Sequence, residues 1–411
     1  MNKQLVFLEN KYTLPRFDYE YFADISGRKV LVYPIEELEQ VKLFLDNFDY
    51  SVGVPSFTRY GMVSIFYYEK LREALREICS TVQQTVLMSV FEFYNELLGQ
   101  LRDDLQLSGI GAKAMGKYRD KSLMQALIEK NPNIKLPQAI IFDRQKGQAN
   151  LEGYFEQLVV QVGLPMIIKP VDGASSVDVY LIESKAQFLD LKLDPQSSFL
   201  VQQFINSKLF HIDFAIYRGT MVFLDACQLS VPQMEIKKMP KYLFAGLPVE
   251  EPALKAKIRE FTQQVITSLE CEDSCYHMEA FLDDNHELIF LEIAARPGGG
   301  GISKMYKTMY GIGLSKLHAC ILSDSLPKIK DYSQTKSRNA LWMECATGFD
   351  ISVLNLQGEL DEFITPISHV LIISSPEQEV IARDFNKIVD YSLEIINSVK
   401  NYSGNPLANE S

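Results

Sequence analysis

The sequence predicts an α/β protein: an N-terminal domain built on a parallel sheet, then a larger region in which strands predominate, and a closing α+β segment. Three observations carry this prediction. The chain has 411 residues, too many for one small core, so it should divide into two or three domains or subdomains. Over residues 1 to about 115, short apolar runs alternate with helical patterns, as in a parallel sheet covered by helices. Farther on, Tyr276 to Ile302 reads as a β-hairpin. Two apolar runs of period two flank Asp283-Asp284-Asn285-His286, a cluster with turn chemistry.

In chain order, LVFL (5–8), KVLVYP (29–34) and TVLMSVFE (85–92) read as strands, and 68–80 and 92–106 have helical periodicity. No G-x-G-x-x-G follows the first strand, so this domain is expected to offer a surface for substrate or dimer contact and not a dinucleotide site. In 117–137, Leu123, Met124, Leu127 and Ile128 fall on one helical face, and Asn131-Pro132 ends the helix. Lys121 then lies in the first turn, where the helix dipole opposes a cation and an anionic ligand would relieve the mismatch. Residues 164–184 read as strand, loop, strand. Lys169 ends the apolar run MIIK and is pinned by Pro170, so its side chain projects from a rigid element. The small, polar 172–176 is suited to fold over phosphates, although such a loop alone is more often a plain turn. Residues 198–226 hold three strand-like pieces, and the backbone from Gln203 to Ile205 is placed to offer N–H and C=O groups to a purine edge. An amphipathic helix at 251–270 leads into the hairpin. Beyond it, 303–323 is helical, 324–339 is a polar connection, and 340–411 holds two or three strands, a helix near 377–400 and a frayed end.

With 283–286 as the loop, Leu282 faces Glu287 and Glu292 faces His277. His277, Glu279 and Phe281 share one face of their strand, while Met278 and Ala280 share the other. Glu279 and Glu292 become diagonal neighbours, roughly 7–8 Å apart at the backbone and within reach of a common cation. Arg296 follows, then Pro297 and Gly298–Gly301, whose N–H groups can surround an anion. Either glutamate alone would more often be a paired or solvated strand residue. The shared face and the Arg-Gly continuation favour a site where divalent metal holds phosphate against a developing anion.

Composition narrows the partners. A net charge of −12 without a Lys/Arg-rich tract argues against nucleic acid. No apolar run approaches the roughly twenty residues of a membrane span, and the start lacks a signal-peptide core, so a cytoplasmic protein away from membranes is expected. The six cysteines are scattered, and Cys271 and Cys275 have no second pair to complete a zinc site.

Taken together, Lys121 in RDKSLM, Lys169 in IIKP with its Gly/Ser loop, the strand VQQFI, and the pair Glu279 and Glu292 resemble the ATP-grasp carboxylate–amine ligases over roughly 115–320. HMEAF and LEIAARPGG most resemble the bacterial L-amino acid ligases that make dipeptides. The resemblance implies a two-lobed ATP-grasp fold at 116–323, with a lid at about 116–200 and a catalytic part at about 200–323. The N-terminal α/β domain (1–115) precedes it and a C-terminal α+β subdomain (324–411) follows. It also implies that Lys121 and Lys169 contact ATP phosphates, that Gly173, Ser175 and Ser176 close over them, and that Gln203 and Ile205 meet adenine. Glu279 and Glu292 match ligands of two magnesium ions, which manganese can replace, and Arg296 matches the arginine near the transferred phosphoryl group and the substrate carboxylate. His277 is left with three readings: it orients substrate, removes the amine's proton, or is simply a hydrogen-bonded strand histidine. The implied partners are a small carboxylate and an amine, with a homodimer through the N-terminal domain as the usual assembly. Three departures stand out: Gln202-Gln203 at the hinge, Ala294 in place of a metal-binding Asn, and Val177-Asp178 where glycine is frequent.

Overall fold

In the computed structural model, which describes residues 3–80, 82–236, 239 and 241–403, three sheets of four or more strands converge on one cleft, with the two-stranded ribbon Ser56–Arg59 and Val63–Phe66 at its rim. The first is a parallel sheet in the order Tyr50–Val54, Arg28–Pro34, Lys3–Leu8, Gln84–Met88. Its strands are apolar on both faces because both are covered. Val6 and Leu8 pack with Leu71 and Leu75 of the helix Tyr68–Ser80, while Leu5 and Phe7 pack with Tyr306 and Leu317 of the helices beyond the hairpin.

The second sheet is small and antiparallel, in the order Ala139–Ile141, Phe199–Gln203, Met166–Pro170, Tyr180–Ile182. Tyr154, Phe155 and Leu158 of Leu151–Val162 fill its apolar side together with Phe188. The third sheet has eight antiparallel strands. The hairpin Ser274–Leu282 and Leu288–Ala294 forms one edge, Lys208–Tyr217 and Thr220–Leu229 lie next to it, and Asn339–Ala346, Ser368–Ser375 and Glu359–Ile364 extend the sheet past Leu243–Pro248. The strands after residue 339 therefore complete the sheet that carries the glutamates.

The α/β class is as the sequence predicts, with three local corrections. The helix Lys121–Ile128 buries Met124 and Ile128 but leaves Leu123 exposed. The predicted 303–323 helix is two helices, Ile302–Tyr310 and Leu314–Leu322, because Gly311 takes a left-handed φ of 74° and stops the first. The hairpin register also differs, as described below. The final helix, Gln378–Ser403, takes in the start of the predicted frayed end, and 404–411 lie outside the described residues. No helix among the described residues is long and apolar enough to cross a membrane.

Candidate active site

The hairpin loop is one residue longer than its turn chemistry suggests. Asp283 Oδ1 accepts N–H bonds from Asn285 (3.0 Å) and Glu287 (2.8 Å), which draws Glu287 into the loop and pairs Leu282 with Leu288. A bulge follows: Ala280 pairs with Phe290, but Glu279 pairs with Glu292, leaving Leu291 as the extra residue. Phe290 and Ile293 both face the core beneath the hairpin, and Leu291 and Glu292 face away from it with Glu279. Glu279 and Glu292 are thus direct neighbours instead of diagonal ones, and His277 pairs with Ala294, not Glu292. Burial and the adjacent Glu292 push the Glu279 carboxyl up to about 7. Both side chains keep part of their surface open to the cavity, 21% for Glu279 and 28% for Glu292, so the paired carboxylate oxygens are available as ligands for a divalent cation.

Both predicted lysines reach this pair. Lys121 opens its helix behind the N-cap Asp120, which accepts from the Ser122 and Leu123 amides. Its Nζ lies 2.6 Å from Gly173 O and 3.5 Å from Glu292 Oε2. Lys169 Nζ is 3.8 Å from the same oxygen, and burial lowers its pKa to about 8 although Glu292 opposes the shift. The loop above bends through left-handed φ values at Ser175 (55°), Ser176 (58°) and Asp178 (54°). Aspartate tolerates that region better than most residues, so Asp178 performs the turn for which glycine is frequent. Asp172 ties the loop to the N-terminal domain through Arg59 (3.1 Å).

Arg296 is held from the N-terminal domain. Its guanidinium is paired with Glu92, whose other oxygen takes Arg119 at 2.8 Å. Burial raises the Glu92 carboxyl, but Arg296 and Arg119 outweigh it and hold the pKa near 2. Glu92 follows the last strand of the parallel sheet, so the N-terminal domain supplies the counter-charge that aims the arginine of the large sheet.

His277 is likewise fixed by a neighbour. Asp213 pairs with it across the sheet, and His211 pairs with Glu279. Trp342 Nε1 donates to His211 Nε2 (3.1 Å), which leaves His211 Nδ1–H to donate to Asp213 (2.7 Å). Asp213 also accepts from Tyr306 (3.2 Å) and binds His277 Nδ1 (2.8 Å). By distance alone these two histidines and Asp213 could hold a metal, but the indole proton commits His211 to a hydrogen-bonded network. Burial disfavours the His277 cation, yet the Asp213 charge and bond prevail and its pKa is raised. His277 Nε2 then points toward Glu279, 4.0 Å away.

A cavity of about 450 Å³ brings together Lys121, Ser175, Ser176, His277, Glu279, Glu292 and Arg296. Lys169 and Gly173 join through their contacts with Glu292 and Lys121. Gln203 and Ile205 do not line it. Gln203 and Phe204 spend their N–H groups on the carbonyls of Gln138 (2.8 Å) and Pro165 (3.3 Å), so of these three only the Ile205 amide lacks an internal partner among the described residues. The sequence reading missed Glu92, Arg119, Asp213 and His211. The last two carried a signal: H-x-D in a predicted strand puts both side chains on one face.

Residues 128–322 match the family described as D-ala D-ala ligase C-terminus. An L-arginine-specific L-amino acid ligase of Bacillus subtilis is 28% identical over 175 residues, 40% of this chain and 42% of its own length. A D-alanine--D-alanine ligase of Oceanobacillus iheyensis is 25% identical over 233 residues, 53% of this chain and 62% of its own. The matches thus span less than two thirds of either relative. Among solved structures, the L-amino acid ligase from Bacillus licheniformis is similar at a TM-score of 0.70 with 15% identity, over 95% of this chain and 97% of that one. N5-Carboxyaminoimidazole synthetase from Staphylococcus aureus, complexed with ADP, also scores 0.70 at 13% identity, over 94% and 96%. Likeness at these identities establishes the fold.

Proposed function

We propose that this chain, which belongs to the ATP-grasp ligase superfamily, activates an amino-acid carboxylate as an acyl phosphate and couples it to an amine, releasing ADP and phosphate. The observation that carries the reading is the direct pairing of Glu279 with Glu292 beneath Lys121 and Lys169 and beside Arg296. It gathers cation ligands, two ammonium groups and a guanidinium around one cavity.

Each charge has a duty. Glu279 and Glu292 hold the divalent metal, which when bound neutralises phosphate charge and orients the transferred group. Lys121 and Lys169 bind phosphate oxygens, and the loop from Gly173 to Ser176 excludes water from the mixed anhydride. Arg296, steadied by Glu92, faces the charge that develops on the phosphoryl group and then on the tetrahedral oxygen, with the Gly298–Gly301 amides beside it. His277, its Nδ1 engaged by Asp213, holds a proton at Nε2 for a substrate oxygen. Gln203 and Ile205 stay at the hinge as adenine contacts, with the Ile205 amide as donor.

Two features favour an amino-acid substrate within the superfamily: the His-x-Glu and Glu-x-Ala-Ala-Arg segments, and the match to an L-arginine-specific L-amino acid ligase. The test is ADP release with amino-acid pairs, with the product identified by mass. ADP formed only with bicarbonate or other acids would move the activity elsewhere in the superfamily. Nucleotide binding without turnover under any acid would reject catalysis.

A further inference from the structure

Beyond the glutamate pair, the same cavity ends on two charges that the scheme above leaves unused. Glu344, on the strand Asn339–Ala346, is only 6% exposed and lines the cavity, yet it has no hydrogen-bond or ion-pair partner among the described residues. Arg16, from the N-terminal domain, lines the same end, and its buried Nε has no partner. The two do not reach each other as an ion pair. Both abut the glycine loop: a Cβ on Gly300 would lie 3.1 Å from Glu344 Oε2, and one on Gly299 would lie 3.3 Å from an Arg16 terminal nitrogen.

Buried charges without partners are costly and are ordinarily paired. Here one carboxylate and one guanidinium face a cavity across a gap, at the loop where the activated carbonyl would form. We propose that Arg16 and Glu344 are the subsite of the amine substrate, and that this substrate is an α-amino acid whose carboxylate meets Arg16 and whose ammonium meets Glu344. The proposal rests on the ligase reading and deepens it. The assignment to the amine, and not the activated acid, follows from position. Arg16 abuts Gly299 and Glu344 abuts Gly300, both past Arg296 in the chain, whereas Glu279 and Glu292 sit on the hairpin strands with Lys121 and Lys169. A carboxylate held there stays away from the metal and keeps its own oxygens unphosphorylated. Glu344 beside Gly300 keeps the nitrogen at the reacting end, where its carboxylate takes one ammonium proton so that the free amine attacks the acyl phosphate and phosphate leaves.

Hydroxylamine separates this subsite from the rest of the machinery, because it traps an acyl phosphate as a hydroxamate and carries neither recognised group. Arg16→Gln and Glu344→Gln are assayed with ATP, magnesium and the preferred acid, using either an amino acid or hydroxylamine as the amine. In each variant the KM for the amino acid rises on the order of 10–100-fold, the loss expected for a charged hydrogen bond, while hydroxylamine shows a change several-fold smaller. Wild type discriminates against the carboxamide of that amino acid, and Arg16→Gln does not. The hydroxamate signal also reports that each variant is folded. Parallel loss with both amines, or an Arg16→Gln enzyme that still discriminates against the carboxamide, overturns the subsite. If wild type uses simple amines as well as amino acids, the subsite falls while the ligase reading stands. If it forms neither ADP nor hydroxamate with any acid, both fall.

Discussion

Glu292 is where the charges of the site meet: the same oxygen lies 3.5 Å from Lys121 Nζ and 3.8 Å from Lys169 Nζ, and Glu279 sits opposite. Removing it takes the proposed metal ligand and the shared counter-ion of both lysines. Glu292→Ala should therefore lose metal-dependent turnover by at least on the order of 10²–10³-fold while its melting temperature stays near wild type, because the side chain packs in no core cluster. Normal turnover in steady-state assays would remove the metal assignment. Glu92 makes the opposite case, since its carboxylate is structural and electrostatic together. Glu92→Gln leaves Arg119 and Arg296 buried side by side without their anion, a break that costs on the order of 3–5 kcal/mol. The sign with pH follows from the pKa near 2. A carboxyl depressed in the fold contributes its full stability above its ordinary value of 4.5 and loses it as pH falls toward 2. Thermal melts should thus show wild type well above the variant at pH 7 and the two converging near pH 2–3.

The glycine run between the hairpin and the helix Ile302–Tyr310 has a steric role besides its N–H groups. A Cβ on Gly298 would lie 2.7 Å from Asp213 Oδ1 and 3.0 Å from His277 Nδ1, wedged into the bond that orients the imidazole. Gly298→Ala is expected to cost about 1–3 kcal/mol by overpacking and to lower kcat on the order of tenfold or more through His277. A variant with a normal melt and normal kcat would show that the Asp213 bond does not matter. That glycine loop was read from sequence as an anion nest, and its packing role was hidden because Asp213 is far away in the chain. The hairpin shows how much such a reading can hold. The loop is one residue longer than supposed and the bulge at Leu291 adds another, so the partner assigned to each glutamate was wrong. Two one-residue displacements in the same direction restore parity, and the side-chain period is two, so Glu279 and Glu292 still emerge on one face. Lys121 and Lys169 were legible for a similar reason, each being fixed by local chemistry at a helix start or strand end. Glu92, Arg119 and Arg16 were not, because their meaning depends on how the first sheet docks on the third.

At the scale of the molecule, the sheets that frame the cleft are tied internally and to their helices by buried carboxyls whose titration reaches the whole fold. Glu9 directly follows the strand Lys3–Leu8. Its Oε1 accepts the Val90 N–H (2.8 Å), two residues before Glu92, while its Oε2 is buried without a hydrogen-bond partner among the described residues. Burial pushes this carboxyl up to about 8. Asp225, on the strand Thr220–Leu229 of the large sheet, is likewise pushed up to about 6 by burial, although the Tyr310 hydroxyl (2.6 Å) opposes the shift. The fold therefore binds protons that the unfolded chain has released, which sets the sign: stability falls as pH rises from the ordinary carboxyl range through 6 and on to 8. Glu9→Gln keeps an acceptor for the Val90 amide and removes the ionisation. Its stability relative to wild type should grow as pH is raised from 5, level off above 8, and amount there to on the order of 3–5 kcal/mol. Denaturant melts at pH 5, 7 and 9 measure the gap directly. A gap of constant size across that range would mean that Glu9 stays in one protonation state throughout, and that the link it makes to Val90 within the N-terminal domain does not respond to pH.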